Sequence, residues 1–269
     1  MPGPEHLDRL DAFIVELNSA AGKAILPYFR DELGLQNKNP HGAYDPVTAA
    51  DKAAEAAIRR LIGDRYPTHG VIGEEYGEDR ADAEFVWVID PIDGTRAFVA
   101  GLPVWTVLIA LRFEGRPILG SIGQPFLGEQ FIGGGGRTRL ACLSGEHRIT
   151  CRKGVPLADA VIATTDPHGC FTRPEMAAWR QVRAACRIAR LGCDAYAYAM
   201  VAAASIDLVL EAGLACWDIE AAIPIIEGAG GTICDWRGDP IGDCGGRIAM
   251  AGSQELMDQV LPLLEAAQP

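Results

Sequence analysis

The first third of the chain contains two segments in which apolar residues recur every three or four positions. The first runs from about residue 5 to residue 29, and its spacing predicts an amphipathic helix that packs on the body of the protein. The second is rich in alanine and predicts a helix from about residue 49 to residue 66. Asp51 then lies in the first turn of the second helix.

Runs of β-branched and aromatic residues follow, and they predict strands. The predicted strands cover residues 85–89, 105–113, 118–124 and 129–132. The turn at residues 114–117 predicts that two of these strands pair as a hairpin. The glycines at residues 133–136 lack the spacing and the Lys-Ser/Thr pair of a phosphate-binding loop, so we assign them to a turn.

Strands and helices alternate in the second half of the chain, as expected for a smaller α/β layer. The predicted strands cover residues 161–164, 187–191, 206–211, 232–235 and 248–251. The predicted helices cover residues 173–186, 194–204, 217–228 and 254–267. Periodicity alone therefore indicates a mixed α and β protein and nothing more specific.

Composition indicates a large buried core, because 269 residues with 49% hydrophobic content can form one long domain or two tightly packed halves. A formal charge of −12 argues against nucleic acid as a partner, since phosphate backbones are bound through surplus lysine and arginine. The same charge would repel a phosphate monoester unless bound cations reversed the local potential.

Two further features bear on the cellular compartment. No leader-type segment is evident, and the longest mostly apolar stretch, residues 195–206, is too short to span a bilayer. We therefore expect no membrane association and a cytoplasmic protein. The eight cysteines lack C-x-x-C spacing, so we expect reduced thiols and neither a zinc site nor a disulfide framework.

The sequence D-P-I-D-G-T, which ends the first predicted strand, is the strongest candidate for chemistry. The carboxylates of Asp90 and Asp93 and the carbonyl of Ile92 can converge on a hard divalent cation. The amides of Gly94 and Thr95 are free to hold an oxyanion. The alternative is an aspartate-rich turn that caps the following helix.

Further acidic residues lie at the ends of other predicted elements. Asp45 and Asp51 stand before and within the second helix, Glu74 and Glu75 follow an apolar pair, and Asp218 opens a later helix. Element ends are where α/β enzymes assemble ligands, because loops there reach a common cleft. For Asp51 and Asp218 the alternative is an ordinary acid at a helix N-terminus, favoured by the helix dipole.

Taken in order, the motifs D-x-V-T-x-x-D, G-E-E, D-P-I-D-G-T and W-D…E-G-A-G-G resemble those of the inositol monophosphatase superfamily of magnesium-dependent phosphomonoesterases. The resemblance covers nearly the whole chain. It implies an α+β fold, the layered α-β-α-β-α sandwich of the inositol monophosphatase and fructose-1,6-bisphosphatase type. It also implies an active site between an N-terminal half, residues 1–150, and a C-terminal half, residues 151–269, together with a homodimer and inhibition by Li⁺.

The resemblance implies two or three Mg²⁺ ions in each active site. Glu74, Asp90 and the Ile92 carbonyl are expected to hold the first ion. Asp90, Asp93 and Asp218 are expected to hold the second, so that Asp90 bridges the two. A weaker third ion is expected near Glu74.

The same resemblance implies roles in catalysis and phosphate binding. Thr95 and Asp51 are expected to orient and deprotonate the attacking water on the first metal ion. The amides of Gly94 and Thr95 are expected to bind the phosphate, with Asp93 facing the substrate as well. Two acids are expected to support the ligands from behind: Asp45 and Glu75.

Residues 192–198 resemble the G-x-D-x-Y-A-Y stretch of the histidinol-phosphate phosphatases within this superfamily. Gly192 opens this stretch, and Asp194 stands where general inositol monophosphatases usually have a small neutral residue. Histidinol phosphate carries an ammonium group that calls for carboxylates, and Asp194 and Glu211 would provide two. The alternatives are that Asp194 caps the following helix and that Glu211 binds substrate in polyol-binding relatives as well.

Some positions depart from the family pattern. Arg96 replaces the asparagine usual after D-G-T and is expected either to contact phosphate or a neighbouring acid, or to form a surface ion pair. Cys193 and Ala195 differ from the residues common in the histidinol-phosphate subgroup. The roles of Lys38 and His168 are left open, although a loop histidine is usually solvated.

The resemblance therefore implies hydrolysis of L-histidinol phosphate to L-histidinol and phosphate, a step of histidine biosynthesis, by a metal-activated water. The alternative is an inositol-1-monophosphatase, or a broader phosphatase of sugar or nucleotide phosphates, with the same metal centre. A third possibility is a binding module that has kept the fold and lost the activity. That hypothesis predicts a missing metal ligand, and every expected ligand is present in the sequence.

Overall fold

The computed structural model describes residues 2–31, 36–37, 46–47, 49–242 and 246–264. Lys38 and Asp45, which the sequence analysis singled out, lie outside these residues. In the described part of the chain the α-helices are α1 Pro4–Ile25, α2 Ala49–Arg65, α3 Thr95–Val99, α4 Pro167–Cys170, α5 Arg173–Ala185, α6 Tyr196–Ala202, α7 Cys216–Ile219, α8 Ala222–Gly228 and α9 Gln254–Leu264. Short 3-10 helices cover Leu26–Tyr28 and Leu157–Asp159.

The N-terminal part of the chain builds an eight-stranded sheet. Two very short strands, β1 Gln36–Asn37 and β2 Pro46–Val47, pair separately from it. Its own strands are β3 Gly70–Gly73, β4 Gly77–Asp79, β5 Phe85–Asp93, β6 Thr106–Phe113, β7 Arg116–Gln124, β8 Glu129–Gly134, β9 Arg137–Cys142 and β10 Gly145–Ile149. Their spatial order is β10-β9-β8-β7-β6-β5-β3-β4. The β3–β5 pair is parallel and the other neighbours are antiparallel.

The C-terminal part builds a five-stranded sheet. Its strands are β11 Val161–Thr164, β12 Ile188–Leu191, β13 Leu208–Leu214, β14 Thr232–Cys234 and β15 Gly246–Ala251. Their spatial order is β12-β11-β13-β15-β14, with β11, β12 and β13 parallel and β15 antiparallel to both of its neighbours.

Side chains of β5 alternate between two separate cores, because successive strand residues face opposite sides of a sheet. Trp87 and Ile89 pack with α1 and α2 on the outer face of the large sheet. Val86 and Val88 pack on the inner face, in a core shared with α6, α8 and the small sheet. A third core fills the space between the small sheet and helices α5 and α9. The layers are therefore α-β-α-β-α, as predicted.

Most predicted elements are present, with ends shifted by a few residues. The single helix predicted at residues 217–228 is wrong, because the structure forms α7 and α8 there. Of the four glycines assigned to a turn, Gly133 and Gly134 belong to β8, whereas Gly135 and Gly136 form the turn with φ of +58° and +73°. The sequence analysis missed the strands β3, β4, β9 and β10, the two-residue strands β1 and β2, and the short helix α4. The residues of β4 and nearly all of those of β10 are exposed, so they show no alternation of apolar and polar residues.

Two predictions from composition can be compared with the described residues. Within them, no helix is both long enough and apolar enough to cross a membrane. The cysteines in this part of the chain, from Cys142 to Cys234, are free thiols, as predicted.

Candidate metal centre and active site

A β-bulge at the end of β5 brings the carboxylates of Asp90 and Asp93 to the same face of the sheet. Asp90 pairs with Leu108 and Asp93 pairs with Thr106, so β5 advances three residues while β6 advances two. In a regular strand, residues three apart face opposite sides, and one extra residue reverses that relation. The Ile92 side chain accordingly packs in the outer core with Ile89, which leaves both carboxylates on the inner side.

The turn itself is held by local hydrogen bonds. The Ile92 N–H donates to Asp90 Oδ1 at 3.0 Å, and the Thr95 hydroxyl donates to the Ile92 carbonyl at 3.1 Å. Gly94 has φ of +78°, a conformation that favours glycine, and α3 begins at the next residue. The Ile92 carbonyl keeps a second lone pair for another partner.

The neighbouring strand β3 brings Glu74 beside Asp90. Gly73 pairs with Ile89 in the parallel register, and the Glu74 N–H continues the ladder by donating to the Ile89 carbonyl at 3.2 Å. Glu74 is therefore level with Asp90 on the adjacent strand. The charge of Glu74 raises the pKa of Asp90, which shows that the two carboxyl groups are electrostatic neighbours.

Asp218 joins Asp90 and Asp93 in an acidic cluster, which it approaches from the side of the small sheet. It lies on α7, which packs against β5, and its Oδ2 accepts the Ala215 N–H at 2.7 Å. Oxygen atoms of Asp90, Asp93 and Asp218 all lie within 4.8 Å of one another. Asp93 Oδ2 also accepts the Ala195 N–H at 2.7 Å, which ties the cluster to the start of α6.

The electrostatics of this cluster fit a cation. Burial, together with repulsion by Glu74, Asp93 and Asp218, raises the pKa of Asp90 well above its ordinary value. Burial and repulsion by Asp194 and Asp218 raise the pKa of Asp93 in the same way, against the hydrogen bond from Ala195. Buried, mutually repelling carboxylates are costly without a counter-charge, and oxygen ligands of this kind are those that Mg²⁺ and Ca²⁺ prefer. The residues therefore fit a divalent metal ion.

Asp194 lies directly against the D-P-I-D-G-T turn. A Cβ atom placed on Gly94 would be 3.0 Å from Asp194 Cγ. The alternative that Asp194 caps α6 is wrong, because Ala195 occupies the N-cap position and no side chain caps this helix. Burial raises the pKa of Asp194 to about 6, although the charge of Arg96 acts in the opposite direction.

Glu211 is the second acid of the predicted substrate pocket, and it is 2% exposed at the centre of β13. Its carboxylate accepts hydrogen bonds from the Thr165 N–H at 2.7 Å, the Thr165 hydroxyl at 2.8 Å and the Thr164 hydroxyl at 3.2 Å. Burial raises its pKa to about 8, although these hydrogen bonds act in the opposite direction.

Gly192 and Arg96 were also predicted to bind substrate. The backbone conformation positions Gly192, and an ion pair positions Arg96. Gly192 has φ of +72° and donates its N–H to the Thr165 carbonyl at 2.9 Å, which turns the chain from β12 towards Asp194. Arg96 pairs with a neighbouring acid, Asp166, at 3.1 Å, and both side chains are exposed. This is the surface ion pair that the sequence analysis left open. His168 is exposed on α4.

Asp51 and Glu75 lie on elements that border the strand carrying Asp90: α2 packs against β5, and Glu75 follows β3, which pairs with β5. Asp51 is 1% exposed in the first turn of α2, a helix that packs against β5. Glu75 is half-buried, and its N–H donates to Glu55 Oε2 at 2.8 Å. Glu55 is fully buried and was missed by the sequence analysis, because its position within an alanine-rich helix shows no motif.

Comparison with known proteins agrees with this geometry. The chain is 44% identical over 236 residues to "Bifunctional phosphatase IMPL2, chloroplastic" of Arabidopsis thaliana, an alignment that covers 86% of this chain and 66%, slightly less than two thirds, of the plant protein. It is 35% identical over 225 residues to the histidinol-phosphatase of Chlorobaculum parvum, covering 83% of this chain and 85% of that protein. An inositol-1-monophosphatase of Mesorhizobium japonicum is 32% identical over 84% of this chain and 85% of its own length.

A solved structure of an inositol monophosphatase from Zymomonas mobilis superposes with a TM-score of 0.85 at 36% identity, covering 98% of this chain and 100% of that one. The sequence model of the inositol monophosphatase family, whose phosphatases depend on metal ions, matches residues 6–268. Fold, acidic cluster and sequence therefore agree, and the chain belongs to the inositol monophosphatase family.

Proposed function

We propose that this phosphatase hydrolyses L-histidinol phosphate in a reaction that depends on Mg²⁺. The observation that carries the proposal is the position of Asp194, whose carboxyl group packs on Gly94 beside the acidic cluster. Asp194 Cγ lies 3.0 Å from the point where a Cβ atom on Gly94 would be. Gly94 belongs to the turn that is expected to hold the phosphate. Among the relatives, those named histidinol-phosphatase support this substrate.

In this proposal the chain's own oxygen atoms hold the metal ions. Glu74, Asp90 and the Ile92 carbonyl would hold the first ion, Asp90, Asp93 and Asp218 would hold the second, and Glu74 would contribute to a weaker third. The distances within the cluster support this arrangement, since the three aspartates lie within 4.8 Å of one another. When bound, Mg²⁺ would supply positive charge that neutralises the phosphoryl oxygens and makes water a better nucleophile.

The protein contributes positioning and proton transfer. Asp51, buried at the start of α2, accepts the proton of the attacking water, and the Thr95 hydroxyl orients that water. The amides of Gly94 and Thr95 bind phosphate oxygens. Because the transferred phosphoryl group is only loosely bound in the transition state, alignment and charge neutralisation provide most of the catalysis.

Asp194 and Glu211 then select a cationic substrate. An ammonium group opposite Asp194 would form a charge-assisted hydrogen bond, whereas an uncharged cyclitol would leave the carboxylate without a cationic partner from the substrate. Gly192 places this loop, and Arg96 limits the negative charge around Asp194. The metal ions would neutralise the acidic cluster, so the positive charge opposite Asp194 has to come from the substrate.

Inositol 1-phosphate is the second candidate substrate. It is favoured by Glu211, an electrostatic neighbour of Asp194, whose carboxylate accepts three hydrogen bonds from Thr164 and Thr165 and keeps acceptor capacity for a hydroxyl group. Relatives named inositol-1-monophosphatase and "bifunctional phosphatase" make this comparison necessary.

The test measures kcat/KM for L-histidinol phosphate and inositol 1-phosphate in the wild type and in Asp194→Ala, with saturating Mg²⁺. We expect the wild type to prefer histidinol phosphate. Loss of a buried charge partner costs about 2–5 kcal/mol, so Asp194→Ala should lower kcat/KM for this substrate at least ~30-fold. Turnover of inositol 1-phosphate should change far less.

A matched control is Asp159→Ala, which removes an exposed aspartate paired with Arg187 at 3.7 Å on the same part of the chain. Its kcat/KM for both substrates should equal that of the wild type. A wild type that prefers inositol 1-phosphate, with a preference that Asp194→Ala leaves unaltered, contradicts the substrate assignment. Activity that persists under full chelation contradicts the metal assignment.

A further inference from the structure

Glu55 lies behind the turn that presents Glu74, and it is fully buried. It lies on α2 one turn after Asp51, and α2 packs against β5. Residues four apart lie on the same face of a helix, so Glu55 and Asp51 share one face of α2. A buried carboxylate requires hydrogen-bond partners, and the backbone groups that donate to Glu55 lie outside its own helix.

The partners of Glu55 are the backbone groups of the β3–β4 turn. Its Oε2 accepts the Glu75 N–H at 2.8 Å, and its Oε1 accepts the Tyr76 N–H at 3.2 Å. These residues join β3 to β4, where Gly73 pairs with Gly77. The turn that contains Glu74 is thus held by a side chain from α2 and not only by its own strands.

Two neighbours reinforce this contact. Arg59 Nε donates to Glu55 Oε1 at 2.7 Å, so its positive charge neutralises Glu55. The Arg59 guanidinium also donates to the Gly77 carbonyl at the other end of the turn. A Cβ atom on Gly73 would overlap the Glu55 carboxylate. Glycine at this position is therefore what lets the carboxylate approach the turn closely.

We propose that Glu55 is a positioning residue for the metal centre, which fixes the β3–β4 turn so that Glu74 stays level with Asp90. The proposal rests on the proposed function, in which Glu74 and Asp90 share a metal ion. Groups that hold metal ligands in place commonly affect metal affinity 10- to 100-fold. Glu55 also links the helix of Asp51 to this turn, so one contact sets the spacing between the proposed base and the proposed ligand.

The test substitutes Glu55→Gln, which keeps size and removes one acceptor. The amide nitrogen of glutamine cannot accept a hydrogen bond, so it faces an N–H donor from the turn or from Arg59. We expect the dissociation constant of Mn²⁺, measured by calorimetry on the metal-free protein, to rise about tenfold or more. The Mg²⁺ concentration for half-maximal activity should rise in parallel, while KM for substrate at saturating Mg²⁺ stays close to the wild-type value.

The control is Glu16→Gln, which removes a surface carboxylate of α1 that pairs at 2.8 Å with Arg65 of α2, the helix that carries Glu55. It should leave metal affinity unchanged. If Glu55→Gln does not fold, Arg59→Gln decides, since the Arg59 side chain is 20% exposed and its loss frees the Gly77 carbonyl while Glu55 remains. A smaller rise in the Mn²⁺ dissociation constant is expected for that variant.

The outcomes separate this inference from the proposed function. Wild-type Mn²⁺ affinity in a folded Glu55→Gln, or in Arg59→Gln when Glu55→Gln is unfolded, overturns the inference and leaves the metal centre intact, provided that Glu74→Gln weakens Mn²⁺ binding. If Glu74→Gln also binds Mn²⁺ like the wild type, the proposed centre itself is wrong and the inference falls with it. A lower melting temperature of Glu55→Gln with unchanged metal affinity indicates a purely structural role and also overturns it.

Discussion

Replacing Asp218 with asparagine should stabilise the metal-free protein while it weakens metal binding. The substitution removes one negative charge from the cluster of Asp90, Asp93 and Asp218 and changes the shape of the side chain very little. The asparagine Oδ1 can still accept the Ala215 N–H, which Asp218 Oδ2 accepts at 2.7 Å, so the start of α7 keeps its hydrogen bond.

The size of the effect follows from the spacing of the carboxylates. Two unit charges 4.8 Å apart repel by about 3 kcal/mol at an effective dielectric constant of about 20. Burial and repulsion raise the pKa of Asp90 and of Asp93, so partial protonation relieves some of this energy near neutral pH. We therefore expect a gain of about 1–2 kcal/mol without metal, which corresponds to a rise in melting temperature of roughly 2–8 °C for a chain of this size.

Thermal unfolding followed by circular dichroism, in EDTA and in millimolar Mg²⁺, measures both effects. The wild type should melt at a higher temperature in Mg²⁺ than in EDTA, because a ligand that binds only the folded state stabilises it. Asp218→Asn should melt above the wild type in EDTA and gain less from Mg²⁺. Asp82→Asn removes an exposed aspartate and should behave like the wild type. A variant that melts below the wild type in EDTA and keeps the full Mg²⁺ shift would refute this reasoning.

Three other substitutions test separate parts of the structure. Glu220→Ala should cost about 3–5 kcal/mol in denaturant unfolding because it leaves Arg112 buried without its bidentate partner, and combining it with Arg112→Met should recover much of that loss. Burial lowers the pKa of His69 to about 4, so the free energy of unfolding should fall by roughly 2–3 kcal/mol as the pH drops from above 6.5 to 4. His69→Asn, which can still accept the Trp87 indole N–H, should show a smaller fall in unfolding measured over the same pH range. Gly94→Ala places a methyl group 3.0 Å from a carboxyl carbon at φ of +78°, and should lower kcat/KM at least tenfold with a loss of about 1 kcal/mol in stability; wild-type kcat/KM would contradict the proposed role of this turn.

The sequence was most informative where the chemistry is local. The segment D-P-I-D-G-T at the end of β5 carries its whole signal within six residues, so the convergence of Asp90 and Asp93 could be predicted before any tertiary structure was known. The family resemblance supplied the order of layers, which periodicity alone could not, because strands and helices of this length pack in many arrangements.

The parts that could not be predicted depend on contacts between distant segments or on exposed elements. Glu55 contacts backbone groups about 20 residues further along the chain, and nothing in the helix around it marks that contact. The sequence left helix capping by Asp194 open as an alternative to substrate binding, because an aspartate just before a helix can also cap it. The exposed strand β10 lacks a buried face that would have imposed alternation on its sequence, and the fully buried residue of β9, Thr138, is polar.

The extra residue in β5 decides on which face of the sheet the second aspartate lies, so the proposed metal centre depends on it. If β5 were a regular strand with the same spacing, residues three apart would face opposite sides, and the carboxylate of Asp93 would point into the apolar layer beneath α1 and α2. Transplanting the two aspartates onto an unbulged strand of another protein would fail for the same reason. Any designed copy of this centre must therefore carry the irregularity along with the acids.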